Sequence, residues 1–255
     1  MVLSIFSSRR TVLLVILLLA IVTTIMFAHE EIGSLDTFWR PPPPRAHDHM
    51  GHERDLAVVM PVNENTDLQF YGNMWVNDYL HPVCDFEGDG CRIVCNQKST
   101  WETLDSKTIC FTKALKERYR GTEFFIKLDD DAFVDKTYIR ELMYKYHRHP
   151  KPVYISDFIL NLDGENLNMN NTWYGNGKFY MFNRRLLDCI DDKIQYTGHR
   201  NEDAVFGAMV ANGCGTDIVM VPENDDKIWH RRYANKNKFI NLTAIPNRVV
   251  EDWEL

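Results

Sequence analysis

The stretch EFFIKLDDDAFVD at residues 123–135 decides the fold. Residues 123–128 are an apolar, aromatic-rich run of strand length, and they lead without a spacer into Asp129, Asp130 and Asp131. The residues after the triplet, Ala132, Phe133 and Val134, are apolar again, so the three carboxylates are read as held at a buried edge rather than on a solvated turn. Carboxylates at the carboxyl end of a buried strand stand where open α/β sheets bind ligands.

Outward from this stretch the chain alternates between strand and helix patterns. Toward the N-terminus, 56–62 (LAVVMPV) and 92–95 (RIVC) are short β-branched runs, and 106–119 carries Ile109, Ala114, Leu115 and Tyr119 at roughly helical spacing. Toward the C-terminus, Asp135 caps a helix with the stripe Ile139, Leu142, Met143 and Tyr146, closed by Pro150. Strands are predicted at 153–160 and 178–183, with Gly175 and Gly177 marking the turn before the second. Asn201 then caps a helix running through Ala211 to Gly213, and 216–221 (TDIVMV) forms a last strand. Interleaved strands and helices predict an α/β sandwich.

The N-terminal fifth of the chain has a different character. Residues 1–10 form a short tail, and residues 11–28 (TVLLVILLLAIVTTIMFA) are an uncharged run close to the length that spans a bilayer. Arg9 and Arg10 precede this run while Glu30 and Glu31 follow, which predicts a type II signal anchor with the remainder in the lumen of the Golgi or ER. A cleaved signal peptide is the competing reading, but the run exceeds a usual signal core and no clean small-x-small site follows it. Residues 29–54, with the prolines 41–44 and His47, His49 and His52, read as a stem without catalytic role, which leaves 55–255 as one lumenal domain.

Charge and cysteines narrow the function classes further. Lys and Arg total 29 against 36 Asp and Glu, a net charge of −7, so the chain has no basic footprint for nucleic acid. None of Cys84, Cys91, Cys95, Cys110, Cys189 and Cys214 has C-x-x-C spacing, which argues against a zinc ribbon or a thioredoxin-like site; structural bridges and buried free thiols both remain open. Asn170 and Asn241 are formal glycosylation acceptors.

Oxygen donors such as the Asp129–Asp131 triplet suit Mg²⁺ or Mn²⁺, and an ion held by one or two carboxylates completes its shell with substrate phosphates and water. A nucleoside diphosphate is the natural partner for such a site. Aspartate-nucleophile phosphatases also end a strand in Asp-x-Asp, but they require Thr or Val two places after the second Asp, where Phe133 stands here. The chain also lacks the P-loop, G-x-S-x-G, H-E-x-x-H and G-x-G-x-x-G patterns.

Three motifs occur in order: the DDD strand, the Gly-x-Gly strand YGNGKFYMF and the Glu-Asp helix start NEDAVFGAMVANG. Together they resemble the β-1,3-galactosyltransferase and fringe family of inverting glycosyltransferases. ETLDSKT, with Leu104, Lys107 and Thr108, is similar to that family's N-L-T-x-K-T stretch. The similarity covers roughly 95–215. It departs from the family pattern where Asn73 and Trp75 stand without the matching Arg, and where Ala204 replaces the usual Val.

The resemblance implies a GT-A type, Rossmann-like α/β/α sandwich that transfers a hexose, galactose from UDP-galactose in β-1,3 linkage, to a glycan or glycoprotein acceptor. It further implies that Asp131 ligates Mn²⁺ or Mg²⁺ with His230 completing the shell. Asp129, Asp130, Lys107, Tyr174 and Gly177 would contact the UDP-sugar donor, with Asp203 as catalytic base beside Glu202. Trp173 and Tyr174 have faces suited to stacking on a sugar ring, and Arg231 and Arg232 are placed to assist the diphosphate. Alternative readings are an N-acetylglucosaminyl transferase, a catalytically silent lumenal relative that binds glycans or acts as a chaperone, and a metal-dependent hydrolase.

Overall fold

Residues 55–100, 103–161, 172–194 and 201–230 are described by the computed structural model. The expected span at 11–28, the stem at 29–54, Asn170, Asn241, Arg231 and Arg232 lie outside them. Among the described residues no helix is long and apolar enough to cross a membrane.

The strands are β1 Leu56–Pro61, β2 Leu80–Cys84, β3 Ile93–Val94, β4 Phe124–Leu128, β5 Ala132–Val134, β6 Val153–Asn161, β7 Thr172–Asn183, β8 Val219–Pro222 and β9 Ile228–His230. The helices are α1 Leu68–Tyr79, α2 Asp105–Arg118, α3 Lys136–Tyr146, α4 Arg184–Cys189 and α5 Glu202–Cys214. Seven strands form one sheet in the order β3-β2-β1-β4-β7-β6-β8, and β5 pairs with β9 in a separate ribbon. Within the sheet, β7 runs antiparallel to both β4 and β6, while every other pairing is parallel.

Both faces of the sheet are covered, as a parallel sheet requires. Alternation along β1 and β4 sends Val58, Met60, Phe124 and Ile126 to one face, where they meet Tyr71, Met74 and Trp75 of α1 and Ile139 and Leu142 of α3. Ala57, Val59 and Phe125 point the other way, toward Ile109 and Leu115 of α2, Leu186 of α4 and Phe206 of α5. The expected α/β/α layering is therefore present. The half-order β3-β2-β1-β4 puts the topological switch point between β1 and β4, and a ligand crevice is expected at their carboxyl ends.

Several sequence expectations need correction. Gly175 and Gly177 do not mark a turn, because both lie inside β7, which begins at Thr172 rather than near Lys178. The last long helix runs past Gly213 to Cys214 and stops at Gly215, whose positive φ of 66° is readily available only to glycine. Gly213 is instead a contact position, since a Cβ there would sit 2.1 Å from the Cys189 carbonyl oxygen. Helix α1 and strand β2 were not anticipated. All six cysteines are bridged, as Cys84–Cys91, Cys95–Cys110 and Cys189–Cys214, which settles the choice between bridges and free thiols.

An aromatic cluster joins α5 to the sheet. Phe206 stacks on Tyr180 with ring centroids 4.7 Å apart, and lies 5.2 Å from Phe182 and 5.7 Å from Tyr154. Because Phe206 is fully buried, Phe206→Ala is expected to lower unfolding free energy by about 3–5 kcal/mol. Urea unfolding checks this, and a loss below about 1 kcal/mol would mean the helix is held by other contacts.

Candidate active site

The chain turns sharply after β4, with the Asp129 carbonyl accepting from the Ala132 amide at 3.1 Å. This turn presents Asp129, Asp130 and Asp131 at the switch point. There they line a cleft of about 1030 Å³ with Val62, Asn63 and Asn65 after β1, Asp85 after β2, Lys107 of α2, and Asn201, Glu202 and Asp203 at the start of α5. Asn201 caps that helix as expected, its Oδ1 accepting from the Ala204 amide at 3.2 Å. The capped first turn, with its helix dipole, faces the cleft and favours negative charge on Glu202 and Asp203.

Lys127 occupies the centre of the site. It lies in mid-β4 with no solvent exposure, and its Nζ is 2.6 Å from Asp129 Oδ1, 3.0 Å from Glu202 Oε1 and 3.4 Å from Asp203 Oδ1. It also donates to the Gly177 carbonyl at 2.7 Å. Burial alone would drive this ammonium below its ordinary range, but attraction from Asp129, Asp203 and Glu202 overcomes that and holds it well above. Burial also raises the carboxyls. Asp203 is pushed up to about 7, with repulsion from Glu202 and Asp129 adding to desolvation against the pull of Lys127. Asp129 is pushed up to about 6 by burial, with Lys127 opposing and Glu202 reinforcing the shift. Side-chain exposures of 31% for Asp129 and 18% for Asp203 keep both within reach of a ligand.

The other acids have distinct attachments. Asp130 Oδ2 accepts from Thr66 Oγ1 at 2.7 Å and its carbonyl accepts from the Tyr71 hydroxyl, so it ties the loop after β1 to the triplet. Lys107 is buried, pairs with Asp85 at 3.1 Å and donates to the Val62 carbonyl at 2.6 Å, bracing the opposite wall of the cleft. Glu202 is held at both oxygens, by Lys127 and, at 3.4 Å, by Thr108 Oγ1. Gly177 lies directly against Asp203, where an added Cβ would stand 2.2 Å from Oδ2.

The structure thus brings Asp129, Asp130, Asp131, Lys107, Glu202 and Asp203 to one cleft, with Gly177 against Asp203. Tyr174 is not among the cleft-lining residues; its hydroxyl accepts from Asn201 Nδ2 at 3.1 Å, and a Cβ at Gly207 would stand 2.5 Å from its own Cβ. Trp173 is 49% exposed and also absent from the lining. The backbone of His230 pairs with Ala132, next to Asp131, while its side chain lies outside the described atoms. Sequence reasoning missed Lys127, Thr66, Tyr71 and Asp85. Lys127 had a legible signal, a cation in the middle of an otherwise apolar strand.

The donor set fits a hard divalent cation in chemistry, being all oxygen at the rim of an open cleft. Among the described residues no group of three or more His, Cys, Asp or Glu side chains forms a ready-made cage, so ligand oxygens and water would complete the shell.

No protein-family model matches the chain, and no curated protein does. One similar solved structure is that of a glycosyltransferase involved in the glycosylation of the major capsid of PBCV-1. It has 10% sequence identity and a TM-score of 0.37, over 66% of this chain and 82% of that one.

The raised Asp203 carboxyl carries a stability consequence. Its folded value of about 7 lies above an unfolded aspartate's, about 3.9. The stabilisation it contributes is therefore present below about pH 4 and is lost as pH rises through about 7, where the ionised form is penalised. In EDTA, the stability of the parent relative to Asp203→Asn is expected to fall between about pH 4 and 7. Thermal unfolding of the pair across that range is the check, and a pH-independent difference would contradict the assignment.

Proposed function

We propose that this protein is a metal-dependent inverting glycosyltransferase of GT-A type. In this reading it moves a hexose, galactose from UDP-galactose, onto a hydroxyl of a glycan or glycoprotein. One observation carries the proposal. Acids some seventy residues apart in sequence, Asp129–Asp131 and Glu202–Asp203, line one cleft at the switch point of the sheet. The volume is of the order that suits a substantial small-molecule ligand.

The chemistry divides between the two groups of acids. A divalent cation held by Asp131 would supply charge neutralisation for the departing diphosphate. Asp203 accepts the proton of the acceptor hydroxyl as that oxygen attacks the anomeric carbon from the face opposite the nucleotide. The bond from carbon to diphosphate oxygen breaks, and the sugar emerges with inverted configuration. A base poised near neutrality is suited to this task, and Asp203 sits near that value. Asp130 and Lys107 brace the loops that receive the nucleotide. The three disulfides support placement in an oxidising lumen, with residues 11–28 as the membrane anchor.

Mn²⁺ and UDP together are expected to raise the melting temperature of the purified protein more than either does alone. Asp131→Ala should abolish that joint shift. An undiminished joint shift in the variant would remove Asp131 from the metal site.

Asp203→Asn is expected to retain Mn²⁺-dependent UDP binding while sugar transfer falls by about 10²- to 10⁴-fold. Near-normal turnover by the variant would exclude Asp203 as the base, and loss of UDP binding would place it in the donor site instead.

A further inference from the structure

The mechanism leaves Lys127 without a part, although it is the least exposed charge in the site and touches both groups of acids. A buried ammonium is unfavourable by several kcal/mol unless its protons are taken by good acceptors. It has three N–H bonds to give. Four acceptors surround it: Asp129 Oδ1 at 2.6 Å, the Gly177 carbonyl at 2.7 Å, Glu202 Oε1 at 3.0 Å and Asp203 Oδ1 at 3.4 Å. Three protons are thus shared among four acceptors, and the three shorter contacts take the larger part. Asp203 receives the longest and weakest of the four contacts, and its other oxygen lies against the bare backbone at Gly177.

We propose that Lys127 is a positioning residue for sugar transfer, its ammonium joining Asp129 on the nucleotide side to Glu202 on the acceptor side while leaving the Asp203 carboxylate able to accept a proton. The inference rests on the glycosyltransferase reading and goes beyond it in two respects. It gives the adjacent acids opposite duties. Glu202 anchors Lys127 and is held at its second oxygen by Thr108, whereas Asp203 reacts. It also makes the spacing of the two halves of the site depend on a residue that touches no substrate. The ammonium also lies over an aromatic face, with Nζ 5.6 Å from the centroid of the buried Tyr180 ring.

The test compares three variants of the full chain, Lys127→Met, Glu202→Gln and Asp203→Asn. The probes are Mn²⁺-dependent UDP binding by calorimetry and UDP release from UDP-galactose. Lys127→Met is expected to bind UDP with nearly parental affinity and to lose about 10²-fold in kcat, the scale of loss that accompanies a displacement of about 1 Å in a reacting group. Glu202→Gln, whose amide oxygen still accepts from Lys127, should lose clearly less turnover than Asp203→Asn. Parental kcat in Lys127→Met, or a loss in Glu202→Gln as deep as in Asp203→Asn, overturns the proposal. Should Lys127→Met fail to fold, the comparison of Glu202→Gln with Asp203→Asn decides it.

A second arm needs no turnover and separates this proposal from the functional reading. In metal-free protein, Lys127→Met should lower the melting temperature less in Asp129→Asn or Glu202→Gln backgrounds than in the parent, because those partners are already weakened. The Asp203→Asn background should change its effect least. Equal coupling to all three acids would refute the proton assignment. Absence of UDP binding by the parent, with the coupling pattern intact, would refute only the glycosyltransferase reading.

Discussion

One fully buried ammonium organises this molecule. Lys127 sits where β4, β7 and the first turn of α5 meet, and its contacts with Asp129, the Gly177 carbonyl, Glu202 and Asp203 cross all three elements. A strand covered on both faces ordinarily fills such a position with an apolar side chain. A lysine is tolerated here because four acceptors surround it, and the acids tolerate one another's proximity because the lysine is there. The cation offsets the mutual repulsion of Asp129, Glu202 and Asp203. The placement of the site and the packing of α5 onto the sheet are therefore one problem, and Lys127 is part of its solution.

Glycines on β7 and α5 make the second condition. The carboxylate of Asp203 lies so close to β7 that a Cβ at 177 would occupy its space, and a Cβ at 175 would stand 2.7 Å from the Tyr154 hydroxyl. Gly207 permits the matching approach of Tyr174 to α5. Read as letters, glycines ahead of an apolar run suggest a turn, and so the sequence argument places one at 175–177. In three dimensions they mark close backbone approach, a use of glycine that depends on what lies opposite. Residues opposite are not readable from a single chain without its pairing.

The same distinction separates what was legible from what was not. The strand ahead of the triplet, the Asp135 and Asn201 caps and the β-branched runs are local signals, and each corresponds to an observed element. Helix α1 was passed over because LQFYGNMWVNDY carries a central glycine and few strong helix formers, although Tyr71, Met74 and Trp75 form an i, i+3, i+4 stripe. Strand β2 has Pro82 in its middle, which ordinarily argues against an interior strand. The Pro82 carbonyl accepts from the Arg92 amide on the β3 side, and its missing N–H falls on that same side, where β3 spans only Ile93 and Val94. The triplet and the Glu-Asp pair were legible as chemistry. Lys127 was legible only as an unusual cation in an apolar strand, since its role lies in contacts with residues 50 and 75 positions away.

Charge on the cleft walls ties these features to ligand choice. Glu64, Asp85, Asp129, Asp130, Asp131, Glu202 and Asp203 line the cleft, against Lys98 and Lys107. Lys107 is already matched by Asp85 and Lys98 by Glu64, so neither is a spare charge for an incoming anion. Lys127 adds one positive charge beneath the floor, yet it is committed to three carboxylates. An anionic diphosphate entering alone would meet a wall of like charge in a partly desolvated space, where repulsion is weakly screened. A nucleotide ligand would therefore need to bring, or follow, a cation that the oxygen donors at the rim can share. In the proposed reading, the aggregate of acids, more than any single residue, would make nucleotide binding in this cleft depend on a metal ion.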